Sequence, residues 1–184
     1  MKTIIVLAMH GAPPNDFPQR EFAEFFGLHA RFDPIHGSER AALERRHAEL
    51  DAKVRAWPRT AQNDPFYVGS QALAAELARV TEYPVILGFN EFCAPNLDEA
   101  FDRAAEQGAS RIIVVTPMVT GGGEHSEVDI PAAVRRAQTR HPGLSILYAW
   151  PFATPCVAQF LAAQVEHYLE ETDLVAYREL ISAR

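Results

Sequence analysis

With 184 residues, 48% of them hydrophobic, the chain can build one sizeable core and falls short of two, so a single domain over 1–184 is expected. The 17 Lys and Arg against 24 Asp and Glu give a formal charge of −7, which argues against nucleic acid or an anionic membrane as the main partner and favours small ligands or other proteins. Cys93 and Cys156 stand apart without CxxC spacing, which indicates neither a zinc knuckle nor an iron–sulfur site and fits a reducing, cytoplasmic setting.

In chain order, "TIIVLAM" (3–9) comes first. Together with Met1 and Lys2 it imitates a secretory leader, but the apolar run is short and leads into His10-Gly11 rather than a cleavage site, so it is read as a strand. Residues 14–67 follow as a helical insertion. In "FPQREFAEFFGLHARF", Phe22, Phe25, Phe26 and His29 share a helical spacing, and "SERAALERRHAELDAKVRAW" (38–57) is a charged helix with Ser38 as N-cap. The plain reading of the aromatic face is burial, and the functional one is a pocket wall. Next come a helix over 70–82, a strand "PVILGF" (84–89), a helix over 96–108 and a strand "RIIVVTPM" (111–118). A helix over 128–143, a strand "LSILYAW" (144–150) and a final helix from Cys156 to Glu171 complete the order. Short continuous apolar runs alternating with helices give an α/β fold, a three-layer α/β/α arrangement on a four-stranded parallel sheet. No run approaches membrane-spanning length.

In such a sheet, ligands gather at the carboxyl ends of the strands. His10 follows the first strand, Glu91 the second, and His125 lies beyond the third in "GGGEHSEVDIP" (121–131). Imidazole and carboxylate suit borderline divalent ions, and three protein ligands leave positions open for chemistry. A lone histidine after a strand is also a common structural hydrogen-bonder, and spacing leaves both readings open.

The stretch "GFNEFCAPNLDEAFDRAAEQGASRIIVVTPMVTGGGEHSEVDIP" (88–131) resembles the central block of the class II tetrapyrrole chelatases, the sirohydrochlorin cobalto- and ferrochelatases. Glu91, Pro95, Gly108, Pro117, Gly123, His125, Asp129, Ile130 and Pro131 fill that family's pattern, and "IIVLAMHG" resembles its first strand. The following "APPNDF" departs from the family's Ser and basic residue and is closer to the protoporphyrin ferrochelatases. The literal His-Gly-Ser at 36–38 is read as helix entry, with His36 structural.

The resemblance implies a chelatase-like fold and a lyase that inserts Co²⁺, Fe²⁺ or Ni²⁺ into a sirohydrochlorin-like tetrapyrrole in cobalamin or sirohaem biosynthesis. The metal is a substrate, and no organic cofactor is expected. His10 and His125 would hold the ion, with Glu91 as ligand or proton acceptor. Gly11, Gly121, Gly122 and Gly123 would let the backbone approach a flat ligand, and Asp129 would cap the helix at Ile130-Pro131. A carboxylate-rich macrocycle calls for arginines. Arg111, Arg135 and Arg136 lie near the expected ligands in sequence, and Arg20, Arg31, Arg40, Arg45 and Arg46 in the insertion, of which Arg20 is the foremost candidate. A two-lobed cleft would require a homodimer, with "VAQFLAAQVEHYL" (157–169) as contact. The alternatives are a non-catalytic metal or tetrapyrrole carrier and a metal-assisted α/β hydrolase.

Overall fold

In the computed structural model, residues 1–29 and 38–182 are described, with side chains through position 169 apart from 29, 38 and 39. The readings of His36 and Arg31 lie outside the described residues, and that of Ser38 as a cap outside the described side chains. The chain divides into two compact units, Met1–Ala149 and Trp150–Arg184.

The first unit runs β1 (Thr3–Met9), α1 (Gln19–His29), α2 (Ser38–Arg55), α3 (Pro65–Thr81), β2 (Val85–Phe89), α4 (Leu97–Glu106), β3 (Arg111–Val115), a π turn (His125–Asp129), α5 (Ile130–Arg140) and β4 (Ser145–Tyr148). All strand pairs are parallel, in the order β2-β1-β3-β4. The central strand β1 is buried along nearly its whole length, as cover on both faces demands.

Period-2 alternation divides β1 between two cores. Ile4, Val6 and Ala8 pack with Leu97, Ala100, Phe101 and Ala104 of α4 and with Ile130, Ala133, Val134 and Ala137 of α5. Leu7 and Met9 face the other way, onto Phe25 and Leu28 of α1, Leu50 and Val54 of α2 and Ala74 of α3. The insertion therefore covers one face of the sheet. Phe89 and Phe101 are wholly buried, each worth roughly 2–3 kcal/mol relative to exposure.

Local signals set the helix ends. α3 starts five residues earlier than its apolar period indicates because the Asp64 side chain accepts from the Tyr67 N–H at 2.9 Å with Pro65 in the first turn, a strong N-terminus. Asn96 and Glu99 form a reciprocal capping box on α4, which fixes where the chain leaves the loop carrying Glu91.

The second unit is α6 (Thr154–Ser182) with the residues leading into it. Phe160, Leu161, Val165, Tyr168 and Leu169 are all more than half exposed. Among the described residues no helix is long and apolar enough to cross a membrane.

Candidate metal-binding site

Met9 and Phe89, the last residues of β1 and β2, are register partners, so the chain leaves both strands side by side. The Asn90 N–H donates to Met9 O and the Glu91 N–H to His10 O, both at 2.9 Å, carrying the pairing two residues past the strands. Gly11 sits against this seam with φ of +96°, where a β-carbon would lie 1.9 Å from Glu91 O. Only glycine fits both the left-handed backbone and the contact. The third segment arrives from β3 through the loop 116–124, and the His125 ring meets the His10 ring edge-on with centroids 4.5 Å apart. One donor atom each from His10, Glu91 and His125 falls within 4.8 Å of the others, and all three residues are half-buried.

Each histidine is oriented through Nδ1. His10 Nδ1 lies 2.7 Å from Gly11 O and His125 Nδ1 lies 2.6 Å from Asp129 Oδ2. A carbonyl and a carboxylate only accept, so Nδ1 carries the proton in both rings and the Nε2 lone pairs are left to coordinate. Asp129 thus departs from its expected role. It makes no side-chain cap on α5, because the π turn places it four residues after His125, on the same side of the coil, where the imidazole takes its carboxylate. Carboxylate support of this kind fixes the tautomer and ring orientation of a metal-binding histidine. Ser126, the residue after His125, is tied in turn: its carbonyl accepts from the Tyr148 hydroxyl at 2.9 Å, and burial, with Glu127 nearby, pushes that phenol up to about 12.

The glycine run is shaped mainly by its own neighbours. Of its three members only Gly122 adopts positive φ, +84°, and its N–H donates to Glu127 Oε1 at 2.7 Å. Gly123 O accepts from Ser126 Oγ and from the Glu127 N–H, both at 3.0 Å. All three glycines are exposed.

Glu91 and His125 line a cleft of about 440 Å³ whose other walls include Phe25, His47, Asp51 and Arg55 from the insertion and Asp98, Asp129 and Arg136 from α4 and α5. A smaller apolar hollow of about 380 Å³, lined by Pro117, Met118, Val119 and Thr120, shares Glu124 and His125 with it. The insertion thus reaches the expected site edge, but with other residues than the sequence indicates. Arg20 is exposed on the first turn of α1 and does not line the cleft. Arg46 pairs with Glu24 and Glu49, and Arg40 with Glu44. Arg111 pairs in register with Thr3, at the opposite end of the sheet from His10. The cleft's own arginines are engaged, Arg136 with Asp98 at 2.7 Å and Arg55 with Asp51 at 2.8 Å. The reading missed Arg55. Its signal was faint, a basic last turn on a charged helix.

A parallel α/β sheet with two histidines and a carboxylate at the carboxyl ends of three adjacent strands defines a class in which a divalent ion would meet three protein ligands and open positions. The family model of CbiX matches residues 66–168, more than half of the chain. The chain belongs to the CbiX family, in keeping with the resemblance of residues 88–131 to the class II chelatases. A sirohydrochlorin ferrochelatase of Priestia megaterium is 34% identical over 64 residues, 35% of this chain and 24% of that protein. A sirohydrochlorin cobaltochelatase of Methanocaldococcus jannaschii is 36% identical over 70 residues, 38% of this chain and 48% of that protein. The matched stretches thus span a quarter to a half of those relatives' lengths. The crystal structure of a CbiX protein of Marinobacter aquaeolei VT8, ascribed to cobalamin (vitamin B12) biosynthesis, superposes with TM-score 0.53 at 20% identity, covering 94% of this chain and 99% of that one. At that identity the likeness bears on the fold alone.

Proposed function

We propose that this protein is a chelatase that inserts a divalent ion, Co²⁺, Fe²⁺ or Ni²⁺, into a sirohydrochlorin-like tetrapyrrole, with His10, His125 and Glu91 as its metal-handling residues. The observation that carries this reading is the convergence of one donor atom from each within 4.8 Å, on a chain of the CbiX family. The metal is a substrate, so the site has to take it up and give it away. Two imidazoles and one carboxylate form an incomplete shell suited to that, with the remaining positions open to water and then to pyrrole nitrogens. Insertion releases two pyrrole protons. Glu91 and the Nε2 atoms are the bases within reach, and each can take a proton as the ion moves from protein to ring.

The apolar hollow at Met118 and Val119 offers a surface for a macrocycle face next to His125, while the polar cleft with Asp51, Asp98 and Asp129 offers a path for a hydrated cation. Because the cleft arginines are paired with aspartates, grip on an acidic substrate falls to surface residues such as Arg20, or the accepted ring carries fewer carboxylates. Arg20→Ala should raise the KM for sirohydrochlorin without altering metal affinity. An unchanged KM would remove Arg20 from the substrate site. The exposed stripe of α6, including Leu161, Val165 and Tyr168, supports pairing with a second copy of the chain, and two free cysteines agree with a cytoplasmic setting.

The deciding experiment follows the visible spectrum of sirohydrochlorin mixed with Co²⁺ and the protein. Conversion of many equivalents of ring per chain supports the enzyme. Conversion that stops at one equivalent supports a carrier, and none at all overturns the proposal.

A further inference from the structure

The loop that presents Glu91 is held in an unfavourable shape. The Cys93 N–H closes a tight turn onto Glu91 O at 2.6 Å, and Phe92 at its centre has φ of 58°, a left-handed conformation that a bulky side chain adopts only when its surroundings enforce it. Two arginines supply that enforcement. Arg55, the last residue of α2, donates to Asn90 O at 2.9 Å and to Cys93 O at 2.7 Å, gripping the turn on both sides of Glu91. Arg59, four residues on, donates to Phe92 O at 2.6 Å and to Ala12 O at 2.8 Å, joining the Glu91 loop to the loop that follows His10. Arg59 also donates to Val54 O at 2.7 Å and pairs with Asp64, the residue that caps α3. Its side chain is 8% exposed and that of Asp64 is 1%, so neither can touch a macrocycle in the cleft.

We infer that Arg55 and Arg59 are positioning residues that fix the Glu91 carboxylate opposite the two histidines, and that the helical insertion serves the metal site by delivering them. The inference rests on the reading of His10, Glu91 and His125 as the metal ligands. Guanidinium suits the task because its planar fork donates to two carbonyls on different segments at once, which an ammonium cannot reproduce. The paired charge of Asp64 makes it tolerable to bury Arg59, which thereby serves the site without contacting either reactant.

The test uses the full chain and Co²⁺ alone, with no tetrapyrrole. Arg59→Lys keeps the charge beside Asp64 and loses the fork, and Arg55→Lys, as a second variant, does the same beside Asp51. In each, the amides of Glu91 and Cys93 should exchange with solvent roughly tenfold faster while those of β1 and β3 keep their protection. Co²⁺ should bind about 10-fold more weakly, with its visible ligand-field bands shifted toward those of Glu91→Gln. Adding either change to Glu91→Gln should cost no further affinity, since both act through the same carboxylate. Unchanged exchange in both variants overturns the inference. So does faster exchange with wild-type Co²⁺ spectra, which would leave the arginines a purely structural role. If Glu91→Gln alone binds Co²⁺ like wild type, the ligand reading of Glu91 fails instead, and the exchange result still decides whether the arginines hold the turn.

Discussion

His125 and Asp129 are joined by a 2.6 Å contact between Nδ1 and Oδ2 inside a single π turn, so the residue that orients the imidazole lies on the same coil that delivers it. The wider coil lets the Ile130 N–H close onto His125 O, five residues back, and such turns recur at functional sites. Asp129→Asn should weaken Co²⁺ binding by about 10- to 100-fold. Its side chain is 45% exposed, so the melting temperature should move little. Isothermal titration beside a thermal melt separates the two, and an unchanged affinity would contradict the orienting role.

His10→Ala and His125→Ala should each abolish most metal insertion and leave the circular dichroism spectrum and melting temperature near wild type, because both rings stand beyond the strand ends and outside the two apolar cores. Turnover of sirohydrochlorin at the wild-type rate in either variant would take that histidine out of the mechanism.

Gly11 and Gly69 make a matched pair for stability. A β-carbon on Gly11 would meet Glu91 O at 1.9 Å on a backbone already at φ +96°, whereas one on Gly69, inside α3, meets nothing within 4 Å. Gly11→Ala should cost about 3 kcal/mol or more, and Gly69→Ala should gain about 0.5–1 kcal/mol. Urea unfolding of the two variants checks both signs.

Asp98 predicts an acid-sensitive contribution between α4 and α5. Burial opposes its ionisation, but hydrogen bonds from Arg136 and Arg140 outweigh that and hold the carboxyl below its ordinary range. The folded state therefore binds the Asp98 proton less readily than the unfolded chain, and the stabilisation is complete above the unfolded pKa of about 4 and lost as pH falls through the lower folded value. Asp98→Asn should cost about 0.5–1 kcal/mol at pH 7, allowing for partial exposure and solvent screening. The gap to wild type should close in unfolding curves taken well below the unfolded pKa. A gap that persists there would assign the effect to packing.

Pairing of two chains through α6 is open to a direct mass measurement. Wild-type protein at micromolar concentration should scatter light as twice 20.4 kDa, and Leu161→Glu with Val165→Glu should return it to a single chain by placing charge in an apolar contact. A wild-type mass of one chain together with full activity would refute the pairing.

The sequence by itself determined the four parallel strands, the helices between them and the edge at which His10, Glu91 and His125 gather. Those features follow from short-range rules: continuous apolar runs for buried strands, helix formers with caps such as Asp64-Pro65 and the Asn96–Glu99 box, and the fact that consecutive parallel strands release their chains on one side. Tertiary structure decided the rest. Asp129 could cap α5 or orient His125, and both are consistent with its spacing; only the π turn selects the second. Arg55, at the end of a charged helix, and Arg59, in the polar link after it, reach carbonyls more than thirty residues away at Asn90, Phe92 and Cys93, while Arg40 and Arg46 pair with nearby glutamates and Arg20 is exposed. A long side chain's direction depends on which loop the fold brings within its reach, and backbone carbonyls, alike at every position, leave no mark in the sequence to show where such a partner will be.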